Sequence, residues 1–377
     1  MATKTKGAVL WSLHESWSVE EIEVGDPVAG EVQVRLAASG LCHSDEHVVT
    51  GDLPVLRFPV IGGHEGAGVV TKVGAGVTTV AEGDHVVLAF MPACGRCPWC
   101  SNGHQNLCDL GARLLGGVAI ADGTYRATAR GQGLAPMCLL GTFAPYCTVH
   151  ESSVVKIDES VPLQAAALVG CGVTTGWGSA VTVAKAGPGD TVVVLGVGGI
   201  GINAVQGARI AGAARVVAID PVPFKREQAL ALGATHAYAS VEQALEPLSD
   251  ISWGRMADKT VIAVGELRAE HIAAAQDLTG KGGTIVATAL AGAAQSTVDL
   301  NLFKLTLFQQ NLQGAIFGGG NPRYDIPNLL RLYGEGTLKL DELITTTYRL
   351  EDVNQGYADM KAGRNIRGVI SYTDADY

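Results

Sequence analysis

With 377 residues, 47% of them apolar and only 17% charged, the chain is too long for one hydrophobic core and too apolar to be disordered, so two domains are expected. A net charge of −10, with no basic stripe interleaved with aromatics, excludes nucleic acid as a partner, because neutralising phosphates needs a basic face. No apolar run approaches the length of a membrane span, and the polar stretch Met1 to Lys6 does not read as a signal peptide, so the expected setting is the cytoplasm, with no membrane partner.

In chain order, the first 150 residues alternate short apolar runs with glycine and proline. Val32–Leu36, Gly68–Val73 and His85–Ala89 have the alternating or β-branched character of strands, and the turns between them predict a β-rich, barrel-like domain. From Val173, Ala- and Gly-rich helical stretches alternate with apolar runs. Thr191–Leu195 (TVVVL) reads as a strand covered on both faces. Gly199–Ala211 is a predicted helix, Arg215–Ile219 a second strand, and Phe224–Leu232 a helix stopped by Gly233. Lys259–Val264 and Gly283–Ala289 read as further parallel strands flanking the helix Ala269–Leu278. This alternation predicts a doubly wound α/β domain. After about Gly318 the pattern loosens, and the tail is expected to rejoin the first domain. The expected division is residues 1–172 with 319–377 for the β-rich domain, and 173–318 for the doubly wound one.

Gly196-Val197-Gly198-Gly199-Ile200-Gly201 fits G-x-G-x-x-G, directly after the buried strand and at the opening of a helix. That placement turns helix N–H groups toward a pyrophosphate. Asp220 ends the next strand, nineteen residues past Gly201, where a carboxylate accepts hydrogen bonds from both ribose hydroxyls of adenosine. A 2′-phosphate there would meet like charge, so NAD is favoured over NADP. Lys225 is placed to approach the ribose, or equally to be a solvated helix charge.

Eight cysteines are too few for a disulfide scaffold in a chain of this length, and four of them crowd into fifteen residues. Cys94, Cys97, Cys100 and Cys108 form C-x2-C-x2-C-x7-C, four thiolates that would close a tetrahedral zinc site with no open position, a structural role. The lobe of about residues 91–111 has little apolar material of its own, so metal would supply its cohesion. His104 lies inside the loop as a possible competing ligand or a solvated side chain. Cys138 and Cys147 have no matched partners and read as packing residues.

Earlier in the chain, Gly40 to His47 reads G-L-C-H-S-D-E-H and offers a thiol, a hydroxyl, two carboxylates and two imidazoles. A thiolate suits zinc, and a hydroxyl and an imidazole can pass a proton. Cys42, His64 in G-G-H-E-G-A-G and Cys171 in V-G-C-G-V-T-T-G-W-G each lie in glycine-rich segments. Two thiolates and an imidazole would neutralise Zn²⁺ and leave a fourth position open. Spacing alone does not establish the trio: taken separately, Cys171 fits a small buried hydrophobe and His64 a core histidine.

Together the motifs closely resemble the zinc-dependent medium-chain alcohol dehydrogenases over essentially the whole chain. The resemblance rests on G-L-C-H-S-D, G-G-H-E-G-A-G, the four-cysteine loop, G-C-G-V-T-T-G, G-V-G-G-I-G and G-A-I-F-G-G at Gly314–Gly319. H-Q-N-L-C-D-L-G-A, M-C-L-L-G-T-F and D-P-V-P-F-K-R-E narrow it to the actinobacterial nicotinoprotein branch, the NDMA-dependent alcohol dehydrogenases, named for the dye that serves as electron acceptor. The resemblance implies a GroES-like catalytic domain beside a Rossmann NAD-binding domain, two Zn²⁺ per subunit and NAD(H), held permanently in that branch.

It also implies roles for individual residues. Cys42, His64 and Cys171 would hold the catalytic zinc, with Glu65 the nearby carboxylate and Asp45 the acid that orients His64. Ser44 would take the substrate proton and His47 would pass it on. Thr175 and Ile200 would hold the nicotinamide, and Arg367 the pyrophosphate. His43 stands where many relatives carry a pyrophosphate-binding arginine, and a histidine binds less strongly when neutral. Phe90, Leu139 and Leu140 would line an apolar pocket suited to primary aliphatic or aromatic alcohols and their aldehydes. Val298–Gly319 resembles the region where family members pair, so a homodimer or homotetramer is expected, with an external electron acceptor or carrier as a further partner.

Two other readings compete. A mycothiol- or glutathione-dependent formaldehyde dehydrogenase shares the scaffold and would need basic pocket residues, for which Arg57 and Arg113 are candidates. A non-catalytic NAD- or redox-sensing protein would be expected to lack a zinc ligand or part of the relay, and neither is missing.

Overall fold

Valine-rich runs and glycine turns set the architecture of this computed structural model, which describes residues 2–377. The chain forms two compact units, one extending to Cys171 and resuming at Asn321, the other spanning Gly172–Gly320.

In the first unit a closed barrel joins Thr3–Leu10, Ser18–Val24, Ala127–Ala129, Gln132–Pro136 and Val60–Ile61, in that spatial order. Its interior is filled by Val9, Ile22, Val24, Ile61, Leu134 and small alanines, as alternation in short strands requires. A second, seven-stranded sheet orders Val154–Lys156, His85–Leu88, Gly66–Val73, Glu31–Gly40, Arg367–Ser371 and Ile344–Tyr348, with Tyr146–His150 also on Glu31–Gly40. Two of its strands therefore come from the last forty residues. Arg367–Ser371 lies antiparallel to Glu31–Gly40 with Val369 opposite Gly40. This sheet covers a large buried cluster that includes Val34, Leu36, Val70, Val86, Leu88, Phe143 and Ile370.

The second unit holds a six-stranded sheet, wholly parallel, in the spatial order His236–Tyr238, Arg215–Ile219, Thr191–Leu195, Ala257–Ile262, Thr279–Ala287, Asn311–Gly314. That is the 3-2-1-4-5-6 order of a dinucleotide-binding fold. All five residues of Thr191–Leu195 are buried, as a strand covered on both faces demands.

Boundaries shift where glycines are spent on turns. The helix expected from Gly199 spans Gly201–Ile210, because Gly198 to Ile200 form the turn that precedes it. The strand expected at Lys259–Val264 spans Ala257–Ile262, and its extension at Ala263 and Val264 passes so close to Gly196 that a Cβ there would stand 2.8 Å from both. The strand expected from Gly283 begins at Thr279, with a register irregularity between Ala257 and Lys259 absorbing the glycines. Among the described residues no single helix is long and apolar enough to cross a membrane.

Candidate metal centres and dinucleotide site

The dispersed trio is assembled by strand register. Antiparallel pairing of Glu31–Gly40 with Gly66–Val73 sets Ser39 opposite Gly66, so the chain leaving one strand toward Cys42 meets the chain entering the other from His64 and Glu65. Cys42 then caps the helix His43–Thr50. Cys171 arrives through Gly170, where any side chain would collide with the Leu88 carbonyl. Ligand atoms of Cys42, His64, Glu65 and Cys171, all buried, lie within 4.8 Å of one another. Tetrahedral zinc with bonds of about 2.0–2.3 Å needs donors about 3.3–3.8 Å apart, so the set matches the ion.

His64 is fixed from behind. Its Nδ1 lies 3.0 Å from Asp45 Oδ2, and the Gly63 N–H donates to Asp45 Oδ1 at 2.8 Å. His64 Nε2 is buried with no hydrogen-bond partner, as expected of a lone pair reserved for a metal. Burial alone would push the imidazole down, but the charges of Asp45 and Cys42 hold it well above the usual histidine range. Cys42 is held well below the usual thiol range by its hydrogen bond with Cys171, helped by His64 and Arg367, while that bond and burial push Cys171 up. A thiolate sulfur and the lone pair of a neutral imidazole are the donors that zinc takes.

Glu65 pairs with Arg367, and the guanidinium also donates to the Leu41 carbonyl at 3.1 Å. Burial raises the Glu65 carboxyl to about 7 against the pull of Arg367. A side chain at Gly40 would collide with Glu65 Oε2, so glycine is required beneath the pair. Arg367, expected on a pyrophosphate, is buried inside the first unit and committed to Glu65.

Ser44 Oγ lies 3.6 Å from Cys42 Sγ. His47, buried on the same helix, has Nδ1 at 3.4 Å from Asp52 Oδ2, and Asp52 also accepts from the Thr50 hydroxyl at 2.6 Å. Sequence reading missed Asp52, although an acid just past the helix-ending Gly51 was a local signal for it. The His43 ring lies 6.5 Å from that of His47. Phe90 meets His64 edge-to-face at 5.9 Å. Leu139 and Leu140 line a cavity with barrel residues such as Ile61, Leu134 and Tyr146, and Phe90 is not among its walls. The three expected pocket residues are thus divided between two environments.

The second cluster is local. Sulfurs of Cys94, Cys97, Cys100 and Cys108 converge within 4.8 Å, and His104, exposed and edge-on to Trp99, is outside the set. Backbone N–H groups donate to the sulfurs: Cys97 to Cys94 at 3.3 Å, Cys94 to Cys108 at 3.4 Å, Cys100 to Cys97 at 3.5 Å. The N–H groups of Cys100 and Asp109 pull Cys97 down to about 6, whereas burial pushes Cys100 up to about 12. Such N–H donors suit closely packed thiolates around a metal. Cys138 and Cys147 stay outside both clusters, buried thiols raised to about 12 by desolvation.

In the second unit, the turn Gly196–Gly201 has the anatomy a pyrophosphate needs. Gly196 is left-handed with φ +84°, and a Cβ at Gly201 would strike the Gly196 carbonyl. At Gly198 the only atom near an added Cβ is Lys225 Nζ at 3.8 Å, so the backbone is open to a ligand and a cation stands over it. Asp220 accepts from the Val197 N–H at 3.0 Å and the Val222 N–H at 2.9 Å, fixing its carboxylate beside the turn. Ile200 precedes the helix Gly201–Ile210 and is half-buried; Thr175 Oγ1 is buried with no hydrogen-bond partner. The residues fit a dinucleotide.

Comparison with known proteins agrees with this geometry. Family models described as "Alcohol dehydrogenase GroES-like domain" and "Zinc-binding dehydrogenase" match residues 28–159 and 199–335. Alcohol dehydrogenase B of Mycobacterium tuberculosis is 57% identical, covering 99% of this chain and 100% of its own. The NDMA-dependent alcohol dehydrogenase of Amycolatopsis methanolica is 52% identical over 98% of this chain and 99% of its own. An alcohol dehydrogenase zinc-binding domain protein from Burkholderia ambifaria superposes with a TM-score of 0.92 at 33% identity, covering 99% and 100% of the two chains. The chain therefore belongs to the zinc-dependent medium-chain alcohol dehydrogenase family, on the branch that includes the NDMA-dependent enzymes, and is an oxidoreductase.

Proposed function

We propose that the protein oxidises primary aliphatic or aromatic alcohols to aldehydes, reversibly, with NAD tightly held and recycled by an external acceptor. Family membership implies zinc and an NAD-type cofactor; the assignment of residues is our reading. Cys42, His64 and Cys171 hold a catalytic zinc, and Cys94, Cys97, Cys100 and Cys108 a structural one. When bound, zinc supplies Lewis-acid stabilisation of the substrate oxygen and NAD accepts hydride. Ser44 takes the substrate proton and His47 passes it outward, steadied by Asp52. Asp45 orients His64, Glu65 supplies a carboxylate beside the ligands, and Phe90 excludes water from the face of His64 that it covers, with Leu139 and Leu140 as further pocket residues.

Gly196, Gly198, Gly199, Ile200 and Gly201 cradle the pyrophosphate, Asp220 and Lys225 take the ribose, and Thr175 meets the nicotinamide. His43 is assigned to the pyrophosphate as well, and so is Arg367, whose guanidinium would exchange Glu65 for phosphate when the cofactor binds. The observation that carries the reading is the convergence of Cys42, His64 and Cys171 within 4.8 Å, with His64 backed by Asp45. Tight NAD rests on the 52% identity to a relative named for NDMA dependence. Denaturing freshly purified protein should release one NAD per chain into the supernatant, and metal analysis should give two zincs. Absence of bound NAD, with activity on added NAD, would return the protein to the dissociable-cofactor class.

The thiol-adduct formaldehyde reading has less support, since Arg113 donates to the Ile120 carbonyl at 2.8 Å. A homo-oligomer is supported by the exposed edge strand Asn311–Gly314 and the neighbouring exposed Leu302, Phe303 and Leu307. Eight free cysteines suit the reducing cytoplasm.

A further inference from the structure

Behind the metal centre stands a buried phenol that the proposed chemistry does not use. Tyr357, 3% exposed, lies on the helix Val353–Lys361, and its hydroxyl makes no hydrogen bond of good geometry. A buried hydroxyl is costly unless it is hydrogen-bonded, so its placement needs a reason. The carboxylate closest to it in effect is Asp45: after burial, the Asp45 charge is the largest influence holding the phenol well above its ordinary range, ahead of Cys42 and Glu46. Asp45 Oδ2, the oxygen that faces His64 Nδ1, is itself without a hydrogen bond of good geometry.

The position of the helix is over-determined. Asn354 exchanges two hydrogen bonds with the backbone of Trp17, at 3.0 and 2.9 Å. Two residues on, Gly356 passes so close to Leu41 that a side chain would collide with it. At the far end Lys361 pairs with Glu46 at 2.8 Å, directly next to Asp45 in sequence. Trp17 stacks on Tyr357 at 6.4 Å, and Phe143, itself 5.7 Å from Trp17, completes the cluster at 6.3 Å from Tyr357. The same two rings press on Gly62, and Phe143 on Gly63, the residues leading into His64: a Cβ at Gly62 would stand 2.5 Å from Phe143 and 2.7 Å from Trp17. The phenol is therefore held by the wall that shapes the His64 segment.

We propose that Tyr357 is a positioning residue, its hydroxyl donating to Asp45 and so fixing the carboxylate that orients His64. This rests on the reading of Cys42, His64 and Cys171 as the catalytic zinc site. A donor on Asp45 fixes which oxygen faces the imidazole and restrains its rotation, and outer partners of that kind govern metal retention.

The test compares wild type, Tyr357→Phe, Asp45→Asn and the double variant as zinc-loaded enzymes. Release of the catalytic zinc to a chelator is timed, and the visible band of cobalt at that site is recorded. Tyr357→Phe keeps the ring and should release zinc about tenfold faster, at the lower end of the 10–100-fold scale of outer-partner changes. It should shift the cobalt band and retain the structural zinc and the thermal transition. In the Asp45→Asn background it should add less than about twofold, because coupled groups are non-additive. Unchanged release and cobalt spectrum would overturn the proposal, as would a full effect persisting without the Asp45 carboxylate. A collapse of the thermal transition in Tyr357→Phe would assign the hydroxyl to packing and also overturn it. A wild-type enzyme holding only one zinc would remove the metal reading and this inference together.

Discussion

The two cysteine clusters solve one coordination problem in opposite ways. In the lobe, four sulfurs come from fifteen residues and are surrounded by little regular structure, a four-residue helix at Pro98–Ser101 and 3₁₀ turns at Gln105–Leu107 and Asp109–Arg113. Neighbouring backbone N–H groups tune those sulfurs, and a metal bound there would hold the chain together. At Cys42, His64 and Cys171 the donors come from three distant segments, and strand pairing brings them together. Ion pairs and a carboxylate tune them. The sheet carries the fold there, which frees a bound metal to do chemistry. Closed local sites thus spend metal on structure, and dispersed sites spend structure on metal.

Four substitutions test that contrast, beginning with the greatest effect. Cys42→Ala should reduce alcohol turnover by about a thousandfold or more, while the thermal transition and NAD content stay near wild type. A large fall in melting temperature would show that the dispersed site also carries fold. Cys97→Ser should do the reverse, costing several kcal/mol locally, read as rapid hydrogen exchange and proteolytic nicking across about residues 91–111. Retained protection there would mean that the lobe folds without its metal.

Gly40→Ala sharpens the comparison at the sheet. The new methyl would press on Glu65 and Arg367, and an overpacked strand end should cost about 1–3 kcal/mol by denaturant titration, with lower turnover at an intact zinc content. Wild-type stability would imply that the ion pair moves aside freely. The smallest effect is expected from His47→Gln, a slowing of about tenfold confined mainly to lower pH, visible as a displaced limb of the pH–rate profile. An unchanged profile would remove His47 from proton transfer.

What could be read from the sequence divides along the same line. The glycine fingerprint after TVVVL and the C-x2-C-x2-C-x7-C run are contiguous, so local pattern was enough to find them and to predict the doubly wound fold. The dispersed trio needed a family resemblance, because nothing in a window around Cys171 or His64 reports that two strands and a glycine turn will bring them together. Gly40 and Tyr357 were not legible even so. The first matters through two side chains more than twenty residues away, and the second through an aromatic wall assembled from Trp17, Phe143 and a late helix. Leu139 and Leu140 turn to a barrel cavity that no linear motif announces.

The strand Arg367–Ser371, laid against Glu31–Gly40, has a consequence for biosynthesis. On the ribosome Cys42, His64 and Cys171 emerge first, yet the buried cation opposite Glu65 and the strand beside Gly40 are made almost two hundred residues after Cys171. The parallel sheet of Gly172–Gly320 is translated in between and can fold as a unit while the first waits. A nascent chain therefore carries closely spaced, unfinished thiols for most of its elongation. On the reading of Cys42, His64 and Cys171 as zinc ligands, metal delivered before release would meet three donors that the finished sheet does not yet hold in place, because the C-terminal segment closes it last.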